Sequence, residues 1–120
     1  MNKVNRFEVW IVDMKPGSGS EPGKIRPVVV VQTDFLHKLN YPSTIICPIS
    51  SQKKGVSKIR IPVTPSEENG LKKPSAIVVD QIKAVDLSRL IEKIGVLDVA
   101  YRKELCNSII DILDLEITLT

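Results

Sequence analysis

Large apolar and polar residues alternate from Phe7 to Met14 (FEVWIVDM), the period of a strand with one face buried. KPGSGSEPGKI, Lys15 to Ile25, carries two Pro and three Gly and predicts a loop. RPVVVVQT, Arg26 to Thr33, is a continuous β-branched run, as in a strand covered on both faces. STIICPI (Ser43 to Ile49) and the strictly alternating SKIRIPV (Ser57 to Val63) predict two more strands, joined by the polar turn SSQKKGV. FLHKLNYP reads as a polar loop with a solvated His37. SAIVVDQIKAVD, Ser75 to Asp86, predicts a strand bent near Asp80, where a run gives way to alternation. One helical turn at Leu87–Leu90 and a last strand in LIEKIGVL follow. From an Asp98 N-cap onward, Tyr101, Leu105, Ile109, Ile112 and Leu113 keep helical spacing, which predicts a terminal helix.

Six or seven strands and one helix in 120 residues imply a mainly β fold: a small, strongly curved sheet or partial barrel, capped by the helix. A single domain over 1–120 fits this length, and the apolar and charged fractions, 42% and 26%, are those of a globular chain. The apolar tail LEITL and the helix face offer surface for a partner subunit. Cys47 and Cys106 lack CxxC spacing and His partners, so free thiols are expected, with no metal and no cofactor. No stretch reaches the ~20 apolar residues of a membrane span, and a cytoplasmic location without membrane contact is expected.

The net charge of +3 hides an asymmetry. Residues 1–60 hold ten Lys/Arg against four Asp/Glu, +6, whereas residues 61–120 hold seven against ten, −3. Such a first half suits an anionic partner. Only five aromatic residues serve both core and surface, so a single-stranded nucleic acid would be held by charge and hydrogen bonds more than by stacking. Phosphate-loop, HExxH and GxSxG motifs are absent, and one histidine excludes a two-histidine mechanism within one chain.

Two places can hold a phosphate. Arg26 sits where the Gly/Pro loop meets a buried strand, and its guanidinium offers a planar fork of donors matched to phosphate oxygens. PISSQKKG, Pro48 to Gly55, supplies two hydroxyls, an amide and two ammonium groups with no acid beside them. A surface ion pair and a solvated turn are the plainer roles for these residues. Asp80 and Gln81 read either as a buried strand-end pair or, for Gln81, as a base-reading amide.

EVWIVDM, PGSGSEPGKIRPVVVVQTD, TIICPISSQ, Gly70-Leu71, PSAIVVDQIKAVDLSRL and KIGVL stand in the order seen in MazF/PemK-type toxins of bacterial toxin–antitoxin modules, which residues 7–113 resemble. The resemblance implies a CcdB/PemK-like fold built on an SH3-like barrel. It also implies a homodimer that cuts single-stranded mRNA at specific sequences without a metal, and a cognate MazE-like antitoxin whose acidic segment covers the RNA surface. The family's catalytic arginine falls on Arg26 and its catalytic threonine on Ser50, here a serine; Phe7 stands where the family usually has Gly.

Cleavage would then use the neighbouring 2′-hydroxyl, with Arg26 stabilising the dianionic phosphorane and Ser50 bonding a non-bridging oxygen, to leave 2′,3′-cyclic phosphate and 5′-hydroxyl ends. Glu21 is a supporting candidate that orients Arg26 or the loop. Ser20, Lys24, Gln52, Lys53, Lys54 and Gln81 are the RNA-contact candidates, since unpaired bases expose their edges to hydrogen-bonding side chains. Two other functions suit the fold: a toxin that poisons DNA gyrase by binding, and a non-catalytic RNA- or antitoxin-binding module. Arg26 and Ser50 favour the nuclease.

Overall fold

A computed structural model of the chain describes residues 3–14, 25–51 and 59–116. Its elements are β1 (Glu8–Asp13), β2 (Ile25–Val30), α1 (Asp34–Lys38), β3 (Ser43–Ser50), β4 (Arg60–Val63), β5 (Ser75–Val78), β6 (Lys83–Asp86), β7 (Leu90–Val96) and α2 (Val99–Ile112). All pairings are antiparallel. Neighbours run β4-β5-β3-β2-β1-β7, with β6 also on β3. Among the described residues the sheet therefore ends in β4 and β7, which do not pair with each other, and the barrel they form stays open.

The bend expected at Asp80 is a 3-10 turn, Val79–Gln81, that lets one stretch of chain pair with β3 twice. β5 joins β3 through Ile49↔Ile77, and β6 joins the same edge through Ile46↔Lys83. A second 3-10 turn, Leu87–Arg89, leads into β7; the Asp86 carboxylate caps it through Ser88 N–H at 2.9 Å.

The valine run of β2 serves two cores. Val29 and Val31 join Val9, Cys47, Ile49, Ile61, Ile77, Leu97 and Leu105 on one face, closed by Tyr101, Ile109 and Ile112 of α2. Val28 and Val30 join Trp10, Val12, Ile46, Val85 and Leu90 on the other. Each fully buried Val contributes roughly 1.5–3 kcal/mol relative to exposure, which is why this strand tolerates no polar alternation. Burial also pushes the Cys47 thiol up to about 12, so it packs as an inert hydrophobe.

Three local expectations need correction. FLHKLNYP is not a loop throughout, because Thr33 Oγ1 accepts from Phe35 N–H at 3.2 Å and starts α1. His37 is not solvated; its ring is buried between Asp34 Oδ1 and Thr44 Oγ1, each 2.8 Å away, which bolts α1 onto β3. Asp98 stands at the N-cap of α2 but makes no side-chain cap bond to it. Its carboxylate instead accepts from Ser66 Oγ at 2.7 Å and Asn69 Nδ2 at 2.8 Å. Desolvation would raise this carboxyl, but those two bonds, a backbone N–H and the Arg102 charge together leave the group below the usual aspartate range.

Candidate functional site

A cleft of about 850 Å³ lies where β1, β2, β3, β4 and β7 meet the segment 70–75. Arg26 enters it from the first turn of β2, where Pro27 suits a strand start because the lost N–H falls early in the ladder. Ser50 enters it at the last residue of β3. The β2–β3 register runs Val30↔Ile46, Val29↔Cys47, Val28↔Pro48. The ladder stops two residues short of Arg26 on β2 and of Ser50 on β3. The two residues singled out from the sequence, 24 positions apart, thus stand at adjoining strand ends on one cleft wall.

Gln81 also lines the cleft, from the 3-10 turn. Asp80 and Gln81 are both exposed, so the buried strand-end pair does not form. Asp80 instead accepts from Arg60 Nη1 at 2.6 Å and holds that guanidinium at the cleft mouth. Ser20, Glu21, Lys24, Gln52, Lys53 and Lys54 lie outside the described residues.

Sequence reasoning missed Arg60, Lys72 and Lys73, which line the same cleft. A signal for the lysines existed in the Gly70-Leu71 pair just before them. Gly70 has φ +70°, and a Cβ there would sit 2.1 Å from the Ile94 carbonyl oxygen, so only glycine lets this turn lie against β7. Buried Asn69 fixes the turn: its Nδ2 donates to the Thr64 carbonyl at 3.0 Å and its Oδ1 accepts from Leu71 N–H at 2.9 Å. The described lining is therefore cationic at Arg26, Arg60, Lys72 and Lys73, with Glu92 its only carboxylate. No group of three His, Cys, Asp or Glu among the described residues could hold a metal ion, and no helix there is long and apolar enough to cross a membrane.

At the far end of β1, Phe7 has φ +71°. That left-handed backbone favours glycine and gives the physical reason a glycine suits this position. Phe7 is held by packing on the first core and by two guanidinium groups, Arg6 and Arg102, whose carbons lie 4.6 and 4.9 Å from the ring centre.

Fold and site define a small, mainly β protein with an open, cationic cleft at one end of its sheet, suited to an anionic ligand. The chain belongs to the PemK-like, MazF-like toxins of type II toxin–antitoxin systems, whose family model matches residues 5–113. It is 36% identical over 109 residues to endoribonuclease MazF of Staphylococcus saprophyticus, covering 88% of each chain. It is 34% identical over 98 residues to endoribonuclease EndoA of Bacillus subtilis, covering 79% of this chain and 81% of that one. The fold matches the crystal structure of MazF from Deinococcus radiodurans with a TM-score of 0.79 at 17% identity, over 96% of this chain and all of that one. A MazE–MazF structure from the same organism gives 0.78 over 97% and all of the compared chain, also at 17% identity.

Proposed function

We propose that this chain is a sequence-specific endoribonuclease toxin that cuts single-stranded mRNA in the cytoplasm and is silenced by a cognate antitoxin. The observation that carries this reading is that Arg26 and Ser50 both line one cationic cleft, in a chain whose curated relatives are named endoribonucleases. The 2′-hydroxyl attacks the adjacent phosphorus and the bond to the 5′-oxygen breaks. The attacking oxygen loses its proton to solvent or a base, and the leaving oxygen gains one. Arg26 stays charged at neutral pH and stabilises the dianionic phosphorane; Ser50 donates its hydroxyl hydrogen to a non-bridging oxygen. Lys72 and Lys73, with Lys24, Lys53 and Lys54, neutralise flanking phosphates, and Gln81, Gln52 and Ser20 meet base edges. Glu21 orients Arg26. None of these steps calls for a metal.

Two partners follow from the same reading. An acidic antitoxin segment complements the cationic cleft, as befits a family whose Deinococcus radiodurans relative was solved as MazE–MazF. A second copy of the chain is the other, because Phe35, Leu39, Tyr41 and Ile45 leave apolar side chains in water.

The test is a substitution series assayed on long single-stranded RNA with EDTA present. Arg26→Ala should lower kcat by roughly 100- to 1000-fold, the cost of removing one charge-stabilising donor. Ser50→Ala should lower it by about 10-fold or more, with Ser50→Thr close to wild type. Cleavage by Arg26→Ala at the wild-type rate would contradict the site assignment.

A further inference from the structure

Glu92 is out of place in a groove for RNA phosphates, because a carboxylate repels them. Its position is built nonetheless. The β1–β7 ladder runs Val9↔Gly95, Trp10↔Lys93, Ile11↔Glu92, Val12↔Leu90, so the register shifts on both sides of the Glu92–Lys93 pair. Such irregularities re-aim side chains and cluster beside functional sites. Between the shifts the two residues keep the ordinary alternation of a strand and point to opposite faces. Lys93 shares the face of Trp10, where its Nζ lies 3.1 Å from Glu8 Oε2; Glu92 shares the face of Ile11 and lines the cleft. Among the described residues the Glu92 side chain makes no hydrogen bond or ion pair, and Lys93, the cation next to it in sequence, is engaged elsewhere. A carboxylate can only accept hydrogen bonds, and in a bound RNA the donors are the ribose 2′-hydroxyls, the same on every nucleotide, and the N–H groups of the bases, which alone differ from base to base.

Strand spacing favours this role over proton abstraction. Ile11 pairs with Glu92 on one side and Pro27 on the other, so Glu92 stands two strand spacings from the β2 strand of Arg26, about 10 Å. A general base must reach the attacking hydroxyl within one hydrogen bond or one water. Glu92 is better sited for a base beside the scissile phosphate.

We propose that Glu92 is a specificity residue of the cleft, accepting two parallel hydrogen bonds from the N1–H and 2-amino group of a guanine next to the cleaved bond. Guanine is the base that offers two adjacent donors to the two oxygens of one carboxylate. The assignment rests on the endoribonuclease reading above.

The experiment compares wild type with Glu92→Gln, an exposed, isosteric change. The substrates are single-stranded oligonucleotides carrying each base, and inosine, at each position around the cut. Wild type should favour guanine at one position by about 10-fold or more, the worth of a good bidentate pair, and inosine, which lacks the 2-amino group, should lose most of that preference. In Glu92→Gln the guanine-to-inosine ratio should fall to near one, whatever the absolute rate. Identical base preferences in both proteins would overturn the assignment while leaving the nuclease reading intact. An equal loss on every substrate with a shifted pH profile would overturn it in favour of proton transfer. Failure of wild type to cut any RNA would overturn the nuclease reading itself, and this assignment with it.

Discussion

At the scale of single residues, side chains here oppose or relieve specific backbone and electrostatic costs. Phe7 adopts φ +71°, a conformation that disfavours residues with a Cβ by roughly 1–2 kcal/mol. Its ring, clasped by Arg6 and Arg102 over the first core, offsets that cost. Phe7→Ala loses the ring and keeps the strain, whereas Phe7→Gly loses the ring and removes the strain. Denaturant titration should therefore find the glycine variant more stable than the alanine variant by about 1 kcal/mol; equal stability would contradict this account. Glu8 shows the same kind of balance. Burial would raise its carboxyl, but bonds from the Trp10 indole, Asn5 and Lys93 together hold it below its usual value.

Among the elements, the segment 64–71 couples α2 to the cleft. Asp98 at the start of α2 bonds Ser66 and Asn69, and Asn69 in turn shapes the turn that delivers Lys72 and Lys73. Because the folded Asp98 carboxyl lies below its ordinary value of 3.8, the unfolded chain takes up this proton first as pH falls. The stabilisation is complete well above pH 3.8 and is lost as pH drops through the lower, folded value. Melting temperature should thus fall between about pH 5 and 3, and Asp98→Asn should flatten that fall; an unchanged slope would show that Asp98 carries none of it. The strands were legible in the sequence because alternation and β-branched runs report burial directly, and the bend near Asp80 showed as a change of period. α1 was not legible: its five residues bury no apolar face, and the His37 bonds that secure it reach to Asp34 within α1 and to Thr44 on β3. Asp98 was misread for a related reason, since a capping residue and a tertiary anchor look alike until residues 66 and 69 come near.

For the whole molecule, the described charges of the cleft come from both halves of the chain. Arg26 and Arg60 come from the first half, Lys72, Lys73 and Glu92 from the second, and the open sheet gathers them at one cleft. Arg26 and Ser50 were singled out from motif, and the fold brings both to the cleft. Arg60, Lys72, Lys73 and Glu92 escaped because their relevance arises only when β4, the Gly70 turn and β7 converge. The central claim is that this cleft cleaves RNA through the 2′-hydroxyl with the chain's own groups. Its most direct test is to incubate the wild-type protein with a natural mRNA pool in EDTA and map both ends of every fragment. The account predicts discrete cuts at a recurring short sequence, each leaving a 2′,3′-cyclic phosphate and a 5′-hydroxyl, and strong loss of these cuts in Arg26→Ala. Fragments ending in 5′-phosphate, or no cleavage until a divalent cation is restored, would contradict it.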